Sequence, residues 1–374
     1  MATVAACIMF LVMPEKKAAA QSAYKNLTGI SLTGIFFIYL FSVFNSSNQA
    51  AYWDILKNKI PFLMLPLSLG MLTTTDKKSL NYIEHFFILC ALISSGWSFL
   101  QYLQNIESYT KLYAQGAVIP TLIHHVSLAV LVAIAALMTL NNLLKENAAF
   151  EKTINGILIL WFIYFIHILS VRTGLVLLYA GIFLFAIIVL MQHKKKMFAL
   201  GLTALMLLSA YISYEKIPTI KSKIAYTLYG ISQYKNQQDT ANQVSDSRRI
   251  LSDRIGWNLL QQNKCFGVGI GDIQDEMNVV YQHQYPQFKK EVYAHIHNQY
   301  LYTACGVGLL SGLLFCVLVF LPFIQYVRER KPVFAIAYLM LLLVMCWEPF
   351  VENQLGTSIF LVLCSWAHIN KKEA

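Results

Sequence analysis

Long apolar stretches separated by short charged segments make up most of the chain. They lie near residues 1–13, 28–45, 61–73, 82–103, 118–140, 155–171, 173–192, 197–214, 297–327, 333–349 and 355–370. A helix needs about 20 residues to cross the hydrocarbon core of a bilayer. Most of the stretches approach that length, although 1–13 and 61–73 are short and 297–327 is too long for one straight crossing. The pattern predicts an all-α polytopic membrane protein with about eleven transmembrane helices.

A single long polar stretch, residues 215–296, interrupts this pattern. It predicts three regions: helices 1 to 8 in 1–214, a large and mainly helical loop domain in 215–296, and helices 9 to 11 in 297–374. The loop is rich in Tyr and Gln. Aromatic faces stack on sugar rings and amides bond to hydroxyls, so this composition suits a saccharide. By composition alone, an ordinary helical domain with a polar surface is the favoured interpretation.

The overall composition supports the membrane class. Hydrophobic residues make up 57% of the chain and charged residues 13%, and the mean hydropathy is +0.53. Soluble domains have about a quarter of their residues charged. In a membrane protein the net charge of +10 reflects where loops lie relative to the bilayer, so no nucleic-acid partner is predicted. The loop holds one cysteine, Cys265, and must therefore fold without an internal disulfide.

The distribution of Lys and Arg predicts the orientation. With the N-terminus outside, the cytoplasmic segments hold fifteen: Lys16, Lys17, Lys25, Lys77, Lys78, Lys145, Lys152, Lys194, Lys195, Lys196, Arg328, Arg330, Lys331, Lys371 and Lys372. The short outer segments hold four: Lys57, Lys59, Lys111 and Arg172. The positive-inside rule therefore places the 215–296 loop outside the cytoplasm, facing the periplasm or the cell exterior. No nucleotide sugar or ATP is present there.

Several arginines on that outer side are candidate anion ligands. Arg172 lies in the tight turn 170–174 between two apolar segments, and Arg248, Arg249 and Arg254 lie together in the loop. A guanidinium binds phosphate oxygens with two parallel hydrogen bonds, so such a group suits a diphosphate. A solvated charged helix is the alternative for the loop arginines.

The glycine-rich segment 266–272, Phe-Gly-Val-Gly-Ile-Gly-Asp, resembles a phosphate-binding loop only superficially. No apolar strand precedes it and no Walker lysine follows it. We predict a turn that ends the preceding helix, with an anion-binding nest of backbone N–H groups as the alternative.

The segment Tyr293-Ala-His-Ile-His-Asn-Gln-Tyr-Leu301 lies where the loop returns to the membrane. A histidine there can exchange a proton near neutral pH. His295 and His297 therefore allow three interpretations: a general base, a structural helix cap, or a metal pair lacking further ligands. Glu348 and Glu352, in another outer turn, are predicted to be structural, with orientation of a catalytic histidine as the alternative for Glu348.

These motifs together resemble the O-antigen ligase and polymerase superfamily. The resemblance rests on Arg254-x-x-Trp257, Phe266-Gly-x-Gly-x-Gly271, His295-x-His297-Asn298-x-Tyr300-Leu301 and Gly306-x-Gly308, in that order. The turn around Arg172 is similar to the family's Arg-Ser/Thr-Gly turn, although Val171 separates the serine from the arginine. The polytopic frame with one large loop also agrees.

The resemblance implies an inverting, metal-independent glycosyltransferase without cofactors. It would move a glycan from undecaprenyl diphosphate to an acceptor hydroxyl, which for ligases belongs to the lipid A core. The implied catalytic residues are His297 as base with Arg172 and Arg254 on the diphosphate. The substrate-binding candidates are Arg248, Arg249, His295, Asn298 and Tyr300. We favour a ligase over a polymerase or a protein O-oligosaccharyltransferase, and a proton-relaying transporter is the alternative from another class.

Overall fold

The structure is a computed structural model. It consists of helices joined by turns and loops, and the residues described contain no β-strand. These are residues 24–69, 77–109, 118–145, 148–191, 196–216, 245–288 and 293–369, together with 21, 224–225, 228–229, 232 and 290. The predicted first span, 1–13, lies outside them.

Fourteen helices fall within the described ranges. They are α1 (Leu27–Phe41), α2 (Gln49–Lys57), α3 (Ile60–Leu69), α4 (Lys77–Gln104), α5 (His125–Lys145), α6 (Ala149–Leu169), α7 (Arg172–Met191), α8 (Lys196–Lys216), α9 (Ser245–Gln262), α10 (Ile273–Gln284), α11 (Gln299–Val307), α12 (Leu309–Arg328), α13 (Pro332–Val344) and α14 (Gln354–Ile369). A short 3-10 helix, Ser42–Phe44, follows α1.

Six of the described helices are long and apolar enough to cross a membrane. They are Leu27–Phe44, Asn81–Gln104, His125–Lys145, Ala149–Leu169, Arg172–Met191 and Leu309–Arg328, and three shorter apolar helices occur at Leu200–Ile212, Pro332–Val344 and Gln354–Ala367. The chain is therefore a helical, multi-pass membrane protein. The larger count of about eleven spans and the placement of the polar loop outside remain predictions.

The predicted 297–327 stretch is two helices. The helical conformation is interrupted at Gly308. Its φ of 83° lies in the left-handed region, so α11 ends before this residue and α12 begins after it. A Cβ at this position would lie 2.6 Å from the carbonyl carbon of Cys265, so the loop packs directly against the break. Only α12 then has spanning length, which removes the excess length noted in the sequence.

The chain divides into two compact units. One contains residues 81–232 and 332–344. In it α5 is buried along its whole middle section, from Val126 to Leu140. The close approach of α7 to α5 requires a residue without a side chain, because a Cβ on Gly174 would lie 2.6 Å from the Ala129 Cβ.

The other unit contains residues 1–80, 233–331 and 345–374. Its helices α1 and α12 run antiparallel: Thr28 N donates to Gln325 Oε1 at 2.8 Å near one end, and Gly34 meets Leu318 midway. At the other end Ser42 Oγ accepts from Ile270 N of the polar loop at 3.0 Å. The basic C-terminal end of α12 and the polar loop therefore lie at opposite ends of this helix pair.

The glycine-rich segment is a turn whose donors are already used. Three of its N–H groups donate to the backbone oxygens of Asn263, Cys305 and Gly306, at 2.9 to 3.0 Å. Ile270 N and Gly271 N donate to serine hydroxyls at 3.0 and 3.2 Å. A backbone donor bonded to the protein cannot also hold an anion. The nest interpretation is therefore wrong, and the segment instead fastens the loop to the end of α1.

Substituting Gly269 tests this fastening. Its φ is 94°, and a Cβ would lie 2.6 Å from both the Asn45 carbonyl oxygen and an Asp272 carboxylate oxygen. Left-handed strain alone costs a residue about 1–3 kcal/mol. We expect Gly269→Ala to lower the thermal melting temperature of the detergent-purified protein. Gly201→Ala, inside α8 where a Cβ meets nothing within 4 Å, should not lower it.

Candidate functional site

The candidate site is built around an extended strap, residues 293–298, between the polar loop and α11. Asp253 of α9 binds the backbone of this strap. The Asp253 Oδ1 accepts hydrogen bonds from His297 N at 2.8 Å and from Asn298 N at 3.3 Å. Burial raises the pKa of Asp253, whereas these two hydrogen bonds and the nearby Arg249 lower it. The sequence motifs did not assign this anchoring role to Asp253, which only the structure shows.

Asn298 fixes the start of α11. Its side-chain oxygen accepts from Leu301 N at 3.0 Å, as at a helix N-cap, and its amide nitrogen donates to the Cys346 carbonyl at 3.2 Å. Both side-chain atoms therefore bond to backbone groups. The predicted substrate contact of Asn298 remains a prediction, and the structure gives this side chain a capping role.

The His297 imidazole lies half-buried beside two positive or ionisable groups. Burial, then Arg249, then His295 lower the pKa of His297 from its ordinary value to about 3. Its ring centroid is 4.5 Å from that of the exposed His295. Within the described ranges, His297 Nδ1 is buried and has no hydrogen-bond partner. This imidazole is therefore neutral near pH 7, as a proton acceptor requires.

Arg249 is the loop arginine electrostatically coupled to His297. Its Nη1 lies 2.7 Å from Glu348 Oε1 in a largely shielded ion pair. The sequence left Glu348 as a possible partner of a catalytic histidine, but the structure pairs it with this guanidinium. Arg249 is therefore already paired with the Glu348 carboxylate. A more highly charged anion that binds Arg249 has to displace this carboxylate or share the guanidinium with it.

The other two loop arginines differ in exposure. Arg248 is partly buried, and its Nε has no hydrogen-bond partner among the residues that the structure describes. Arg254 lies on the exposed face of α9, together with Ile250 and Trp257. Since Arg249 and Asp253 are four residues apart, they share the helix face toward the strap, which Arg254 does not.

Gly256 allows α9 to approach the strap closely. Ile296, between the two histidines, is fully buried, and a Cβ on Gly256 would lie 2.5 Å from its Cδ1. We expect Gly256→Ala to push the strap outward and lower kcat for any reaction that uses His297, because small displacements of a reacting group cost about 10²-fold. Gly96→Ala, which meets nothing within 4 Å, is the control, and unchanged kcat in Gly256→Ala would contradict the expectation.

Arg172 and Tyr300 complete the predicted set. Arg172 begins α7, two residues after Ser170, whose φ of 50° lies in the left-handed region. It belongs to the unit of residues 81–232 and 332–344, whereas the strap belongs to the other. Tyr300 lies in the first turn of α11, where its ring packs edge-on against Phe315 and burial raises its pKa. The role of Arg172 stays a prediction.

A buried polar cluster adjoining the strap was not found from the sequence. Gln299, the residue after Asn298, is fully buried and donates through Nε2 to Glu352 Oε1 at 2.6 Å. Glu352 also forms an ion pair with Lys59 at 3.1 Å. The only sequence signal was the position of both charges in outer segments.

The fold and the candidate site together describe a multi-pass helical membrane protein, most of whose candidate residues lie in one polar loop and the strap that follows it. The family model described as O-antigen ligase matches residues 157–316, a range that includes Arg172, the loop and the strap. This match confirms the resemblance to the O-antigen ligase and polymerase superfamily over residues 157–316. The match supports glycan transfer of the O-antigen ligase and polymerase type at the level of the family. No curated protein matches the chain.

Proposed function

We propose that the protein transfers a glycan from undecaprenyl diphosphate to a hydroxyl of the lipid A core, on the periplasmic side of the inner membrane. The observation that carries this proposal is a neutral imidazole, His297, beside a guanidinium, Arg249, on a strap anchored by Asp253. A base next to a cation suits attack by a hydroxyl on a sugar that leaves an anion behind.

The proposed reaction needs no nucleotide. His297 takes the proton of the acceptor hydroxyl as its oxygen attacks the anomeric carbon opposite the leaving group. The bond from this carbon to the diphosphate oxygen breaks, and its electron pair stays on the departing diphosphate. Attack from the opposite side inverts the anomeric configuration. Fixed guanidiniums stabilise the developing charge without solvent reorganisation.

Donor binding would also strengthen the base. Without a donor, Arg249 helps to lower the pKa of His297 to about 3. A base of such low pKa is weak. A diphosphate bound at Arg249 offsets its positive charge, so the pKa of His297 rises when the donor is in place. The orientation of the helix pair supports access from outside, since the loop lies at the end away from basic Arg328 and Arg330.

This coupling predicts different pH profiles for two kinetic constants. kcat/KM for the donor reports the free enzyme and kcat reports the complex. As pH falls from about 7 to about 5, the unliganded His297 stays neutral, while the donor-bound one begins to gain a proton and lose activity. We therefore expect kcat to fall in this range while kcat/KM stays level. Superimposed profiles would contradict the coupling.

A transfer assay tests the function directly. Purified protein in detergent is mixed with an undecaprenyl-diphosphate glycan and lipid A-core acceptor in the presence of a chelator, and the products are analysed by mass spectrometry. A lipid A-core carrying the glycan supports the proposal. Absence of transfer in this assay, together with proton-coupled uptake of a solute into proteoliposomes, would favour a transporter instead.

Lipopolysaccharide from a gene deletion separates ligase from polymerase. Loss of all attached O-antigen is expected for a ligase, because nothing is joined to the core. Retention of one repeat unit indicates a polymerase, whose acceptor is the growing glycan.

A further inference from the structure

A buried ion pair lies directly behind the strap that carries His297. Lys59, between α2 and α3, has no exposed side-chain surface and forms an ion pair with Glu352 at 3.1 Å. Its ammonium also donates to the Val351 carbonyl and lies 4.5 Å from the centre of the Tyr39 ring. Glu352 accepts a further hydrogen bond from the Tyr39 hydroxyl. Burial lowers the pKa of Lys59, and the Glu352 carboxylate opposes that shift.

Gln299 joins this pair to the strap. Its backbone N–H donates to the Met345 carbonyl at 2.8 Å, its Oε1 accepts from Val351 N at 3.1 Å, and its Nε2 donates to Glu352 at 2.6 Å. The position of Gln299 is therefore set through both its backbone and its side chain. It is separated from His297 by one residue.

The backbone is what orients the imidazole. His297 Nδ1 bonds to no group in the described part of the chain, whereas the His297 N–H is held by Asp253. The strap is thus fixed on one side by Asp253 of the polar loop and on the other by Asn298 and Gln299. A change that frees Gln299 would let the imidazole shift while leaving the loop arginines in place.

Stability alone does not explain such a pair. Replacing a buried ion pair with apolar residues of similar volume is often neutral or stabilising, whereas fully satisfied polar networks specify one geometry. We propose that Glu352, neutralised by Lys59, is a positioning residue that acts through Gln299 to hold His297 in its reactive orientation. The kinetic part of this proposal rests on the proposed function.

A second Lys–Glu pair in the same unit offers a matched control. Lys331 lies 2.6 Å from Glu329 and donates to the Ala367 carbonyl at 2.7 Å, and Glu329 accepts from Gln325 Nε2 at 2.7 Å. A lysine, a glutamate, a glutamine and a backbone carbonyl therefore interact here as they do around Lys59 and Glu352. This pair lies at the other end of α12, away from the strap.

The test compares three double variants of the full-length protein in detergent. Lys59→Met with Glu352→Leu removes the pair and its bond to Gln299, and Lys331→Met with Glu329→Leu makes the same change at the control pair. Lys59→Met with Glu352→Gln removes the charges but keeps an oxygen that can accept from Gln299. Backbone hydrogen exchange across residues 295–301 and the kinetics of glycan transfer are measured for each.

We expect the Leu variant at Glu352 to exchange faster at the strap and to lose about 10²-fold in kcat with an unchanged donor KM. The Gln variant should recover most of both, and the control pair should match wild type. Equal exchange in the Leu and Gln variants, or an equal kcat loss at the control pair, would overturn the proposal. If wild-type protein transfers no glycan, the exchange result still decides the positioning role, while the proposed function fails separately.

Discussion

His297→Ala is expected to lower kcat for glycan transfer by about 10²–10⁴-fold, the usual contribution of a general base. The reason is local: burial, Arg249 and His295 keep this imidazole neutral, and its Nδ1 has no hydrogen-bond partner within the described structure. The variant should still fold, because Asp253 bonds to the backbone N–H of this position and not to its side chain.

The matched control is His283→Ala, which removes an exposed histidine from α10 in the same loop. It should leave kcat unchanged. Transfer is measured by single turnover with purified donor, and expression and melting temperature are compared in parallel. Near-normal transfer by folded His297→Ala would remove the proposed base and leave only binding and electrostatics to explain the reaction.

The helical frame was largely predictable because a membrane-spanning helix requires an apolar stretch of about 20 residues, which can be recognised in a sequence. The predicted span 155–171 corresponds to Ala149–Leu169 and the predicted span 173–192 to Arg172–Met191. The stretch 297–327 was not resolved into α11 and α12, since both halves are apolar. The break depends on the left-handed Gly308 meeting the Cys265 backbone, a contact that hydropathy does not report.

The candidate residues of the site could be recognised from their motifs, but the contacts between their side chains could not. The spacing of Arg249 and Asp253 is a helical i,i+4 signal that could have favoured Arg249 as the arginine nearest the histidine. The sequence instead gave most weight to Arg254, which matches the family motif and lies on the exposed face of α9. No local pattern could pair Lys59 with Val351 and Glu352, because Lys59 and Val351 are 292 residues apart.

The glycine-rich segment shows how a motif can mislead. Its glycines were compatible with an anion nest, and the same residues serve a close backbone approach. Gly267 would place a Cβ 2.5 Å from the Cys305 carbonyl oxygen, and Gly271 would place one 2.5 Å from the Asn48 carbonyl oxygen. The proposed chemistry therefore depends on the guanidiniums and the strap histidine, and the arginines are the next test.

Loss of a guanidinium is expected to lower kcat about 10²–10³-fold, since one preformed donor to a developing oxyanion is typically worth that much. We expect this result for Arg249→Ala, because Arg249 is coupled to His297. The resemblance implies it for Arg172→Ala and Arg254→Ala. Arg328→Ala is the control, because this exposed arginine ends α12, a 20-residue helix about 30 Å long. It should transfer glycan at the wild-type rate.

Arg249 needs a further variant, because its removal also leaves the buried Glu348 carboxylate without its ion-pair partner. An unpaired buried charge destabilises a protein by itself. Arg249→Ala is therefore combined with Glu348→Gln, and Arg249→Lys is compared with both, since lysine keeps the charge but loses the planar fork. A catalytic role predicts that the double variant regains melting temperature but not kcat, with Arg249→Lys intermediate. If kcat recovers with stability, Arg249 serves the fold, and the diphosphate must be stabilised by the remaining arginines.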